Sequence, residues 1–80
     1  MTHPAYARLA AIDPRTIAER IRARLAELGW SQADLGRELD QKSSNVSRWL
    51  TGRGRPGIDN LIKIADALRT SVDALLAEER

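Results

Sequence analysis

The sequence contains no cysteine. That excludes a disulfide framework, a thiolate zinc site and a cysteine nucleophile. No apolar run of signal-peptide length stands at its start, and no segment approaches the length of a membrane span. A soluble, cytoplasmic protein without a membrane partner is the expectation. Internal repeats and low-complexity tracts are absent too. The one histidine, His3, has only Asp and Glu as possible co-ligands, so neither a metal site nor a cofactor is expected. No paired-carboxylate cleft and no nucleophile–base set can be assembled from the pattern. Arg53-Gly54-Arg55-Pro56-Gly57 contains glycine, but it lacks the P-loop lysine spacing and a preceding strand. An enzyme is therefore not expected.

Eighty residues allow one domain with one modest core. The net charge of +2 is small, and its distribution says more. Residues 41–57 carry four cations, Lys42, Arg48, Arg53 and Arg55, and no acid. Residues 58–80 carry three cations against five acids, a balance of −2. A basic stretch beside an acidic tail suits a polyanion engaged on one face. Charge alone leaves a merely solvated loop equally open.

The apolar spacing is helical throughout, and no strand is expected. Asp13-Pro14 predicts a helix start, with Asp13 as the cap and Pro14 at the first helical position. Ile17, Ile21, Leu25 and Leu28 then recur on one face. Arg15, Glu19, Arg20, Arg22, Arg24 and Glu27 occupy the other, which reads as a solvated surface. Gly29 ends this helix. Ser31 and Asp34 have the spacing of a capping box, with Trp30 placed to pack on Leu35 as a hydrophobic staple. Gly36 costs about 1 kcal/mol of helix propensity relative to Ala, which predicts close approach of another helix. After Asp40-Gln41-Lys42, a helix is predicted from about Ser43 to Thr51. Val46, Trp49 and Leu50 face inward, and Gly52 ends it. Ile58, Leu61, Ile62, Ala65 and Leu68 mark a fourth helix over 58–68. Ser71 can cap a short last one carrying Val72, Leu75 and Leu76. Residues 1–12 form a lead: Pro4 begins a short helix through Ala5–Ala11 with Tyr6 and Leu9 as contacts, or the segment frays. Residues 13–80 form the domain.

Two short helices joined by a tight turn make a helix-turn-helix pattern. The second of the pair exposes Ser43, Ser44, Asn45, Ser47 and Arg48, with no acid among them. Such a face can enter the major groove of DNA, where Arg or Asn can read a base edge. Arg53 and Arg55 follow on a loop suited to phosphate contact.

Residues 16–76 resemble the Cro and phage-repressor family of helix-turn-helix domains, also called the xenobiotic-response-element family. The resemblance rests on four pieces in family order: Trp30-Ser31-Gln32-Ala33-Asp34-Leu35-Gly36, Val46-Ser47-Arg48-Trp49-Leu50-Thr51-Gly52, Pro56, and Leu61-Ile62-Lys63-Ile64-Ala65-Asp66-Ala67-Leu68. It implies an all-α, compact five-helix fold like that of lambda repressor, with the N-terminal lead as a possible extra short helix. It also implies binding to double-stranded operator DNA as a homodimer. By that resemblance Lys42, Ser43, Ser44, Ser47 and Arg48 are the base-reading positions, with Asn45 close by. Gln32, Thr51, Arg53 and Arg55 are the phosphate contacts. The chain departs from the family at Asp40, where the turn often has Gly, and at Gln41, where an apolar residue is usual. Leu50 stands where Glu is common. Lys42 replaces the frequent Ser or Thr cap, so either Lys42 or Ser43 begins the recognition helix.

The function expected is therefore sequence-specific DNA binding by a dimeric, nucleoid-associated repressor. An antitoxin that represses its own promoter, with a toxin as protein partner, is the alternative within the same fold. A module that binds a protein co-regulator rather than DNA is the alternative outside it. Val72, Leu75 and Leu76 offer more apolar surface than a small core must use and mark the expected dimer interface. No ligand-binding domain is expected after Arg80, so an inducing signal is expected to act through another protein or through concentration.

Overall fold

The computed structural model describes residues 11–76. Pro4, Tyr6 and Leu9, and with them the lead helix considered above, lie outside those residues, as does His3. Among the described residues there are five helices and no strand: α1 (Pro14–Leu28), α2 (Gln32–Leu39), α3 (Ser43–Leu50), α4 (Ile58–Ala67) and α5 (Val72–Leu76). This is the all-α architecture the sequence predicts.

Local chemistry sets most of the helix ends. Asp13 has extended backbone, and its carboxylate accepts from the Arg15 N–H at 2.8 Å. Gly29 closes α1 in the left-handed region, and the Trp30 N–H donates back to the Leu25 carbonyl at 2.9 Å. The capping box at α2 is complete: Asp34 N–H donates to Ser31 Oγ at 3.1 Å, and Ser31 N–H donates to Asp34 Oδ2 at 2.7 Å. Asp40 ends α2 with a φ of 52°. That backbone disfavours most L-residues but is tolerated by Asp.

The core runs through every helix. Ile17, Ile21 and Leu25 of α1 meet Leu35, Val46, Trp49, Leu50, Ile58, Leu61 and Ile64 in one cluster. Trp30, half-buried, packs against that cluster, which contains Leu35. Each fully buried Leu or Ile stabilises the fold by roughly 1.5–3 kcal/mol. Two expectations change here. Ile62 is 39% exposed, and Ile64 takes the buried position instead. Leu75 and Leu76 are buried within the protomer, and Val72 packs half-buried against the same cluster. The apolar surplus on which the dimer interface was expected is thus taken up by the chain's own core.

The polar face of α1 is largely exposed, as expected at Arg15, Glu19, Arg22 and Glu27, but three of its arginines also bond to other parts of the fold. Arg22 donates through Nη1 to the Leu50 carbonyl at the end of α3. Arg24 donates to the Leu68 carbonyl at 2.7 Å and the Arg69 carbonyl at 3.1 Å, beyond the end of α4. Arg20 donates to the Ala74 carbonyl in α5 at 3.4 Å. The last carbonyls of a helix lack intrahelical partners and carry partial negative charge. Three arginines on one helix thus reach carbonyls in or just beyond three others.

Gly52 carries the chain away from α3. Its φ is 75°, and a Cβ there would lie 2.6 Å from Arg15 Cγ and 3.1 Å from Arg15 Cα. The side chain could move aside, but the backbone of α1 could not. Gly52→Ala should therefore cost about 1–3 kcal/mol. Denaturant unfolding reads this directly, and an unchanged midpoint would show that the crossing is looser than described.

The Asp34 carboxyl is held below its ordinary pKa, first by the Ser31 N–H and hydroxyl and then by Arg37. A depressed folded pKa means stability that is complete above the unfolded pKa of about 4 and lost as pH falls through the folded value. Asp34→Asn should flatten the decline of Tm between about pH 5 and 2.5. A decline as steep as that of the parent chain would assign the acid dependence elsewhere.

Candidate nucleic-acid interface

α2 and α3 are joined by Asp40-Gln41-Lys42, and Gly36 determines how closely they sit. A Cβ at Gly36 would lie 3.3 Å from the Gln41 carbonyl oxygen and 3.7 Å from Val46 Cγ2. The turn and the first turn of α3 therefore rest almost on the α2 backbone. The close approach predicted from that glycine is present.

The start of α3 is now defined. Lys42 is the N-cap residue, with φ −64° and ψ 144°, and no side chain caps the helix. Ser43 is already helical, so it does not serve as the cap in place of Lys42. Lys42 caps with its carbonyl alone, which accepts from the Asn45 and Val46 N–H groups at 3.0 and 3.2 Å. The first turn of α3 contains no acid. Backbone N–H groups at such a helix start favour an anion.

α3 has two faces. Val46, Trp49 and Leu50 are buried, while Ser43, Ser44, Asn45 and Arg48 are exposed and Ser47 is half-buried. Gln32, in the first turn of α2, donates through Nε2 to the Ser43 carbonyl at 3.3 Å. It thereby ties the starts of the two helices together. Asn45 Nδ2 donates to Gln41 Oε1 at 3.2 Å, which explains a polar residue at a turn position where an apolar one is usual. Thr51 is exposed, with its hydroxyl donating to the Ser47 carbonyl at 2.8 Å.

The cations divide. Arg53 is exposed on the loop, and its N–H donates to the Arg48 carbonyl at 3.1 Å. Arg48 lays its guanidinium over Gly54, where a Cβ would lie 3.3 Å from Nη2. Beside it is a cleft of about 270 Å³ lined by Asn45, Arg48, Gly54, Arg55 and Asn60. Arg55 is exposed but anchored, since its Nε donates to the Ile12 carbonyl at 3.0 Å. Val72, Leu75 and Leu76 belong to α5, which packs on α1 and α4.

Reading the sequence missed two members of this surface. Asn60 reaches the cleft from the first turn of α4; the start of that helix at 58 was legible, but not that its first turn faces Arg48 and Gly54. Arg15 lies beside the loop because Gly52 crosses it. The glycine between Thr51 and Arg53 was the available signal, but it names no partner.

Chemically, this surface offers hydroxyls, amides and guanidiniums, and residues 41–57 contribute no carboxylate. It can donate to phosphate oxygens and to base-edge acceptors. Among the described residues no group of His, Cys, Asp and Glu could hold a metal ion, and no helix is long and apolar enough to cross a membrane.

Lys42 at the N-cap leaves a stabilising position unused. Lys42→Ser would supply a hydroxyl to the N–H groups of the first turn and should raise stability by about 0.5–1 kcal/mol. A Tm at or below that of the parent chain would contradict the helix start described above.

Three comparisons bear on this surface. The helix-turn-helix family is matched over residues 21–75. The transcriptional repressor RstR of the cryptic phage CTXphi, from Vibrio cholerae serotype O1, is 34% identical over 59 residues, covering 74% of this chain and 53% of that protein. Repressor protein C2 of Salmonella phage P22 is 34% identical over 65 residues, covering 81% of this chain and 30% of that protein. The chain thus spans about half the length of the first relative and under a third of the second. Among solved structures, the hypothetical transcription factor NHTF from Neisseria superposes with a TM-score of 0.76 at 28% identity, covering 81% of this chain and 75% of that one.

Proposed function

Because this chain belongs to the helix-turn-helix family, we propose that it binds double-stranded operator DNA sequence-specifically and acts as a dimeric transcriptional repressor. The observation that carries this reading is the outward face of α3, which is acid-free and polar, opposite a face buried in the core. The names of the two phage relatives support repression as the outcome.

In this reading α3 enters the major groove. Lys42, Ser43, Ser44, Asn45, Ser47 and Arg48 meet the base edges. Gln32, Thr51, Arg53 and Arg55 hold the backbone, with Gln32 and Arg55 oriented by the Ser43 and Ile12 carbonyls they already bond. Two copies on a two-fold site would place their α3 helices in successive major grooves, about 34 Å apart. Of the expected interface residues Val72 alone is only half-buried, so a second copy that covers α5 would meet Val72 rather than Leu75 or Leu76. Selection of bound sites from random DNA tests the whole reading. It should return a two-fold sequence with half-sites one helical turn apart. Absence of any enriched sequence would overturn sequence-specific recognition.

Arg48→Ala should weaken binding by about 1–3 kcal/mol and relax the preference at one base pair. Unchanged affinity and preference would remove Arg48 from base reading. Arg53→Ala should weaken all sequences alike and make the salt dependence shallower by roughly one phosphate contact. If its salt slope matches that of the parent chain, Arg53 does not touch a phosphate.

A further inference from the structure

The N-terminus of α1 lies far from α3 in sequence but beside the loop that leaves it. Gly52 crosses over the Arg15 backbone, and exposed Arg53 follows at the next position. The Arg15 side chain is 80% exposed, and its Nη2 lies 3.1 Å from Asp13 Oδ2. The Asp13 side chain is 46% exposed. Arg55 reaches the same place from the other end of the loop, donating to the carbonyl of Ile12, the residue before Asp13. Arg15 and Arg55 therefore flank one carboxylate, at the edge of a loop whose own residues carry no acid. The charges act as this placement requires. Hydrogen bonds from Arg15 hold the Asp13 carboxyl below its ordinary pKa, and the positive charge of Arg55 adds to the effect.

We propose that Arg15 is a further phosphate-contacting residue of the DNA interface, held ready by Asp13 in the free protein and passed to a phosphate on binding. This rests on the DNA-binding reading above. The exchange is favourable because both partners are solvated. An exposed ion pair contributes little, whereas a phosphate accepts the same guanidinium in a charge-assisted pair and releases condensed counterions. Asp13 thus has two tasks. Its carboxylate caps α1, and its charge competes with phosphate for Arg15.

The two tasks can be separated. Asp13→Asn keeps an oxygen for the Arg15 N–H, since Asn caps helices about as well as Asp, and removes the charge. Arg15→Gln keeps the methylene stem over Gly52 and removes the guanidinium. Arg15→Lys keeps the charge. Asp66→Asn, on α4, neutralises an exposed acid elsewhere. Binding is measured by fluorescence anisotropy across a salt series, on a duplex carrying the selected site and on a random-sequence duplex. Thermal unfolding of each variant accompanies it.

Arg15→Gln should weaken binding to both duplexes and reduce the salt slope by about 0.9, while Arg15→Lys should retain the slope. Asp13→Asn should tighten binding by about 2- to 5-fold, the range of a surface ion pair, and should lose that effect in the Arg15→Gln background. Asp66→Asn should leave affinity nearly unchanged. The proposal is overturned if Arg15→Gln keeps the parental slope, or if Asp13→Asn tightens binding equally without Arg15. It is likewise overturned if Asp66→Asn tightens binding as much as Asp13→Asn does. A parent chain that binds neither duplex overturns the DNA-binding reading itself, whereas a parent that binds, with variants that match it, removes Arg15 alone.

Discussion

A helix of eight residues does not persist by itself in water, because nucleating it costs more than its few hydrogen bonds return. α3 is such a helix, and the direction of every outward side chain on it depends on what holds it. Burial of Val46, Trp49 and Leu50 in the common cluster supplies most of that hold. The ends are secured separately. At the start, Gly36 lets the turn rest on α2, and Gln32 bonds the Ser43 carbonyl. At the finish, Arg22 bonds the Leu50 carbonyl, and Gly52 crosses α1 where no side chain would fit. The core and the outward face are thus one arrangement. Any residue that loosens the first also turns the second.

Much of this was legible in the sequence, for identifiable reasons. Caps are local. Asp13-Pro14, Ser31 with Asp34, and Gly29 each determine a helix end within a few residues, and each is found as expected. Gly36 was legible because a glycine inside a helix has a cost that only close packing offsets. What was not legible depends on partners far away in the chain. Helical periodicity assigned Arg20, Arg22 and Arg24 to a polar face, but it cannot name the carbonyls they reach 28 to 54 residues away. Arg55 is a similar case. Its loop is cationic, as read, yet one guanidinium N–H is committed to Ile12, 43 residues earlier. Leu75 and Leu76 read as surplus because residue counting cannot say how much apolar surface a core will accept.

These partnerships change how the charge should be counted. Arginine presents five N–H groups in a fixed fork and stays charged, so it can bridge to a carbonyl while part of the head remains solvated. Arg20, Arg22 and Arg24 use that property inside the fold, against the negative ends of other helices. Part of their donor capacity is thus used by the protein itself. Around α3, the cations open to a polyanion include Lys42, Arg48 and Arg53, together with the outward parts of Arg15 and Arg55. The modest net charge of +2 and the concentrated cationic surface around α3 are therefore compatible.

Lys42 sharpens the point. A cation at the positive end of a helix is unfavourable to the helix dipole, and its side chain makes no cap hydrogen bond there. A serine would serve the fold better at that position. The local loss is modest, since the buried face of α3 carries the stability. An anion drawn to the start of α3 reverses the sign of the effect: the open N–H groups and the lysine then act together on it. Stability alone gives no reason for Lys42, whereas an anionic partner at the mouth of α3 does. A residue that weakens the free fold and strengthens a complex is the local conflict expected where a surface is shaped for binding.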